Sequence, residues 1–105
     1  MATTTVTATS KTGTILNCIS GSFTSDGNAT IVTLGFTPRF CKIVNSSDTI
    51  VWDKLEGMAA ANCVKTTATT ESIETSSDIL FAAGTMTLSA TLVGTTKAIS
   101  WVAMG

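Results

Sequence analysis

The fold of this chain is decided by residues 35–58, which read GFTPRFCKIVNSSDTIVWDKLEGM. Pro38 has no backbone N–H group, so it marks the entrance of a strand rather than its middle. Along residues 39–45 the side chains alternate between two faces, with Phe40, Lys42 and Val44 on one and Cys41 and Ile43 on the other. A polar turn follows at residues 45–48, and a second alternating segment covers residues 49–55. This pattern predicts an antiparallel β-hairpin.

Short β-prone segments separated by Gly, Asn, Asp and Ser recur along the rest of the chain. They cover residues 13–20, 29–35, 63–67, 72–75, 78–81, 85–93 and 97–103. The sequence Ser25-Asp26-Gly27-Asn28 predicts a turn that joins residues 21–24 and 29–35 in a second hairpin. No helical periodicity is found, and residues 58–62 are too few for a stable helix. We therefore expect an all-β fold, an antiparallel β-sandwich or small barrel of about eight short strands.

The length of 105 residues is that of one ordinary domain. We predict an extended N-terminal arm at residues 1–12 and a single β domain at residues 13–105. The arm is rich in threonine and offers Thr3, Thr4, Thr5 and Val6 as candidate contacts to a partner. Few charges protect the predicted strand edges, so we expect the arm or a neighbouring subunit to cover one of them.

The composition favours contact with other proteins. Hydrophobic residues make up 44% of the chain and charged residues only 12%, with a formal net charge of −1. This balance gives no electrostatic attraction to nucleic acid or to an anionic membrane, and neither is expected as a partner. The first ten residues have neither the basic nor the apolar region of a signal peptide, which predicts synthesis in the cytoplasm.

An enzyme is not expected. The chain has no histidine and no tyrosine, which removes the usual nucleophile–base pairs. Its carboxylates are interpreted as solvated surface charges, and no catalytic residue, cofactor or metal site is predicted. Cys18, Cys41 and Cys63 lack the close spacing of a zinc site. They are interpreted as small core residues, with a single disulfide between two of them as the alternative.

Four further residues are candidates for a partner interface. Trp52 and Trp101 each lie in an alternating strand and either pack in a core or interface or stack on sugar rings. Arg39 either anchors a partner or forms a local ion pair. Met58, the last residue of the segment 35–58, is the fourth candidate.

These residues resemble a known class of protein. Small structural proteins of tailed bacteriophage particles share a strand entered through Gly-Phe-x-Pro-Arg, an Asn-led turn, a strand with a central Trp, and a Gly-Met. Their carboxyl end is another Trp-bearing strand, like KAISWVAMG here. The resemblance covers most of the chain from about Ala29 onward. It implies a virion protein, in particular a head decoration or cement protein.

The resemblance implies binding to the major capsid protein on the outside of the phage head, after synthesis in the host bacterial cytoplasm. It also implies a homo-oligomer, with a trimer favoured. Two alternatives stay open. One is a β-domain of a tail, neck or fibre, and the other is a carbohydrate-binding or adhesive module displayed on the particle.

Overall fold

A computed structural model describes residues 17–105 and folds them into nine strands and one short helix. The strands are β1 (Cys18–Asp26), β2 (Thr30–Thr33), β3 (Phe40–Asn45), β4 (Ile50–Leu55), β5 (Cys63–Thr66), β6 (Glu71–Glu74), β7 (Ile79–Ala82), β8 (Thr85–Leu88) and β9 (Thr95–Met104). The helix α1 covers Ala90–Val93. The predicted arm, residues 1–12, and the first residues of the predicted strand 13–20 lie outside the described residues.

The strands form two antiparallel sheets, which confirms the expected all-β fold. The large sheet has six strands in the order β1-β9-β3-β4-β5-β6, and the small sheet has three in the order β2-β8-β7. Two separate sheets that share one core make a sandwich rather than a closed barrel.

The core lies between the two sheets. Strand β3 buries Cys41 and Ile43 completely, and the neighbouring β9 buries Ile99 and Ala103 in the same way. The small sheet and the helix supply the opposite side of the core through Val32, Ile79, Met86, Leu88, Leu92 and Val93. Burying a side chain of this size contributes about 1.5–3 kcal/mol, so this layer is the main source of stability.

The hairpin predicted over residues 39–55 is confirmed. Strands β3 and β4 pair in a register that places Phe40 opposite Leu55 and Asn45 opposite Ile50. The side chain of Asn45 holds the turn: its oxygen accepts from the Asp48 N–H at 3.0 Å, and its amide nitrogen donates to the Asp48 carboxylate at 3.1 Å. Asn45 is only 2% exposed, and these two hydrogen bonds satisfy its side-chain oxygen and nitrogen in place of water.

The second predicted hairpin is wrong. The chain does bend at Gly27 and Asn28, directly after β1, but β1 pairs with β9 in the large sheet and β2 pairs with β8 in the small sheet. Gly27 has a φ of 85° and donates its N–H to the Gly94 oxygen at 3.0 Å, which fixes the chain as it crosses between the sheets. A turn sequence shows where the chain reverses, but it does not show which strand will receive the next hydrogen bonds.

The predicted strand 85–93 is also wrong in its second half. Strand β8 ends at Leu88, and Ser89 caps the helix by accepting the Leu92 N–H on its hydroxyl oxygen at 3.0 Å. The Ser89 hydroxyl donates in turn to the Asp78 carboxylate at 3.0 Å. The helix buries Leu92 and Val93. A serine cap thus overrides an apolar alternation that is typical of a strand.

Candidate interaction surface

The large sheet presents a second apolar face, which points away from the small sheet. Side chains alternate along a strand, so the burial of Cys41 and Ile43 places Phe40, Lys42 and Val44 on this opposite side. Directly paired residues share a face, and the strand registers therefore extend the surface across the sheet. We define the outer face as Phe40, Val44, Val51, Leu55, Val64, Ile73, Val102 and Met104, which surround Lys42 and Asp53.

Several of these apolar side chains are open to solvent. Leu55 is 56% exposed and Ile73 is 57% exposed, while the other six are half-buried. The solvent side of an antiparallel sheet is normally polar, so eight apolar side chains around a central ion pair are unusual, although Thr66, Glu71 and Ser100 also lie on this side. Contiguous apolar surface of this kind is typical of interaction sites.

The two charges of the outer face neutralise each other. The Lys42 ammonium lies 3.8 Å from the Asp53 carboxylate, with the side chains 49% and 31% exposed. Exposed ion pairs of this kind contribute roughly 0–1 kcal/mol, so this one has little structural value. The centre of the outer face therefore carries no net charge, while Glu71 on the edge strand β6 adds a negative charge on the same side of the sheet. Binding by the centre of the face has to come from apolar burial and shape.

A groove of about 390 Å³ lies at one end of the outer face. Its walls include Phe40, Leu55 and Met104. Arg39 and Glu56 stand at its rim, where the Arg39 Nε atom donates to the Glu56 Oε1 atom at 2.8 Å and both side chains are 52% exposed. The backbone brings the two together, because the Glu56 N–H donates to the Arg39 oxygen at 2.9 Å. The groove and the outer face form one continuous surface.

The predicted interface residues separate into different environments. Arg39 lies at the groove and also forms the local ion pair that was its alternative interpretation. Met58 lines a neighbouring cavity of about 290 Å³ together with Pro38 and Phe81. Thr3, Thr4, Thr5 and Val6 lie outside the described residues.

Trp52 does not belong to an exposed interface. It is 2% exposed and packs in the core, so neither a partner nor a sugar ring can reach its faces in this structure. Trp101 is half-buried on the inner side of the large sheet, where its indole lies against Gly21. A Cβ atom on Gly21 would lie only 2.8 Å from the Cζ2 atom of Trp101, so the close contact requires glycine.

The three cysteines are free thiols. Cys18 is exposed, so its interpretation as a core residue is wrong, whereas Cys41 and Cys63 are buried. Burial is the main cause that raises the pKa of the Cys41 thiol to about 12 and the pKa of the Cys63 thiol to about 11. Both therefore stay protonated at neutral pH and are poor nucleophiles. The structure supports the core interpretation of these two and shows no disulfide among the cysteines.

Sequence reasoning missed most of the outer face. The sequence pattern places Leu55, Val64 and Ile73 in strands and assigns them no role in an interface. A usable signal was present in β3 and β4, which carry large apolar residues on both sides of the strand rather than on one. Strands with this pattern are typical of sheets that pack against other structure on both faces.

Comparisons of the chain with protein-family models, with curated proteins and with solved structures find no match. Within residues 17–105, no group of three or more Cys, Asp or Glu side chains is arranged to hold a metal ion. Within residues 17–105, no helix combines the length and the apolar character needed to cross a membrane.

Proposed function

We propose that this protein is a non-enzymatic structural protein of a tailed-bacteriophage particle, a decoration protein that binds the major capsid protein on the outer surface of the head and stabilises the shell. The observation that carries the proposal is the outer face of the large sheet. It combines eight apolar side chains with one internally neutralised ion pair, and it opens into the groove beside Arg39.

The chemistry of the outer face suits a protein lattice. Buried apolar area contributes about 25 cal/mol per Å² before the costs of association are subtracted. A surface whose centre carries no net charge gains this energy at each of many equivalent sites, with little repulsion between neighbouring copies. The low charge of the whole chain, 12% of its residues, agrees with such a role.

The resemblance to small phage structural proteins favours a phage capsid as this protein lattice. The Gly-Phe-x-Pro-Arg segment leads into β3, the Asn-led turn joins β3 to β4, and the central Trp of β4 is Trp52. Arg39 and Leu55, which border this hairpin, also border the groove. The hairpin that carries the resemblance therefore supplies half of the outer face and part of the groove wall.

A tail, neck or fibre location would use the same outer face, and imaging separates it from a head location. Particles from which the protein has been deleted should lose density on the outside of the head in cryo-electron microscopy, and readdition of the purified protein should restore it. Mass spectrometry of the particles before deletion should detect the protein. Loss of density at the tail or neck alone would refute the decoration role, and absence of the protein from particles would refute any virion role.

A further inference from the structure

Within residues 17–105, one edge of the large sheet is long and has no strand paired with it. Strand β1 has nine residues, CISGSFTSD, and pairs on one side with β9. No strand of residues 17–105 pairs with its other side. The single charge in β1 is Asp26 at its end, and the strand contains neither proline nor lysine. Natural proteins rarely leave such an edge open, because it is a template for another strand.

The remaining edges are short or charged. Strand β6, the other edge of the large sheet, has four residues and carries both Glu71 and Glu74. In an antiparallel pair of two β6 strands these carboxylates would face each other, which is unfavourable. Strands β2 and β7, the edges of the small sheet, have four residues each. Among the described strands, β1 is therefore the edge suited to pairing.

We propose that two copies of this chain pair through their β1 strands about a two-fold axis at Gly21, which joins two six-stranded sheets into one continuous antiparallel sheet. This inference concerns the edge of the large sheet and goes beyond the proposed role of the outer face. A two-fold contact uses the same strand from both copies and closes on itself. Pairing of β1 with β6 would instead continue from copy to copy.

The register follows from the regular part of β1. The pairing of β1 with β9 is continuous over residues 18–24 and shifts between Thr24 and Asp26. Gly21 is the centre of the continuous part. A two-fold axis at Gly21 places Ile19 beside the partner's Phe23, and Ser20 beside the partner's Ser22. Every residue of the regular segment is then paired.

The backbone groups of β1 point in the required direction. The Asn17 oxygen accepts the Gly105 N–H at 3.0 Å, so the odd-numbered residues of this strand face β9. Cys18, Ser20, Ser22 and Thr24 consequently direct their N–H and C=O groups to the open edge. Pairing these four residues with their two-fold mates forms about eight hydrogen bonds, within the range of about 5–15 that is usual for a protein interface.

The side chains beside the edge favour the same arrangement. Ile19 is 40% exposed although it lies on the inner side of the sheet, where Phe23 and Trp101 are half-buried. A second copy would place its own Ile19 and Phe23 next to them and extend the apolar layer. The outward side chains of the segment are a thiol and hydroxyls, so no charge is buried.

Disulfide cross-linking of the full-length chain tests the register. In a background carrying Cys18→Ser, the variants Ser20→Cys and Ser22→Cys are purified separately, then mixed under denaturant, refolded together and oxidised. The mixture should form a covalent dimer, because the two positions face each other across the axis. Neither variant alone should do so to a comparable extent. Cross-linking of Ser22→Cys alone, or absence of cross-linking in the mixture, would overturn the proposed register.

Light scattering after size exclusion tests the pairing itself. The wild-type chain should have about twice the monomer mass of 10.8 kDa. Ser22→Pro removes an outward N–H group and should give a monomer with an unchanged circular dichroism spectrum. Ser22→Thr keeps the N–H group and should remain a dimer. A wild-type monomer at all concentrations would overturn the proposal, and dimerisation only after deletion of residues 1–12 would assign the edge to the arm instead.

Discussion

The Nζ atom of Lys54 donates a hydrogen bond to the backbone oxygen of Asn62 at 2.6 Å. It also donates to the oxygens of Ala60 at 3.0 Å and Ala59 at 3.3 Å, which uses all three ammonium donors. The side chain is only 2% exposed, and no salt bridge joins it to a carboxylate of the described residues. Lys54 thus attaches the loop after β4 to the edge of the core through neutral backbone groups.

Replacing Lys54 by methionine should destabilise the protein. The change keeps most of the apolar stem but leaves three carbonyl groups without their donor, and we expect a loss of about 2 kcal/mol in the free energy of unfolding. Urea denaturation followed by circular dichroism measures it. Lys42→Met is the matched control, because Lys42 is exposed and should change stability by less than about 0.5 kcal/mol. Equal effects of the two variants would contradict the role of Lys54.

The thiols should react in two classes. Cys18 is exposed and should react with Ellman's reagent in the native protein, whereas Cys41 and Cys63 should react only after unfolding. The native protein should therefore show one reactive thiol per chain, and the denatured protein should show three. Rapid reaction of all three without denaturant would contradict the burial of the Cys41 and Cys63 side chains.

Stability should fall at alkaline pH. The ordinary thiol pKa of 9.0 is raised to about 12 for Cys41 and to about 11 for Cys63, chiefly by burial. A raised folded-state pKa means that the unfolded chain loses these protons first. Their contribution is therefore complete below about pH 9 and is lost as pH rises toward 12. The denaturation midpoint should decrease over this range, and more steeply than in a Cys41→Ala, Cys63→Ala double variant, which lacks both buried thiols. Parallel pH profiles would refute the assignment to the thiols.

Gly21 should not tolerate a larger residue. The Cβ atom of Gly21→Ala would lie 2.8 Å from Trp101, and displacement of the indole should cost about 1–3 kcal/mol and shift its fluorescence. Gly57→Ala is the control, since a Cβ atom there meets nothing within 4 Å. A Gly21→Ala variant with wild-type stability and emission would show that Trp101 does not rest on the glycine.

The sequence predicted those parts of the fold that depend on neighbouring residues. The hairpin of β3 and β4 follows from alternation on both sides of a turn that Asn45 and Asp48 hold by their own side chains. The partners of β1 and β2 depend instead on strands more than fifty residues away, which no local pattern contains. The helix after Ser89 required a capping contact whose serine is itself bound by Asp78.

The candidate surface was less predictable than the fold. Trp52 and Trp101 occupy similar alternating strands, but the core encloses Trp52 almost completely and leaves Trp101 half-buried. That difference depends on how far a three-stranded sheet extends over a six-stranded one. The place of Leu55 and Ile73 in the candidate surface likewise depends on the strand registers, which put them on one face with Phe40 and Val102.

The proposed capsid-binding role of the outer face is tested most directly by measuring the affinity of surface variants for phage heads that lack the protein. Leu55→Glu places a charge on the outer face, where we expect at least a tenfold loss of affinity, equivalent to about 1.4 kcal/mol. Ile31→Glu is the matched control, because Ile31 is 67% exposed on the small sheet, away from the outer face. Leu55→Glu should bind phage heads more weakly than the wild-type protein, and Ile31→Glu should bind them with unchanged affinity. Wild-type affinity of a folded Leu55→Glu variant would contradict the proposed role of the outer face.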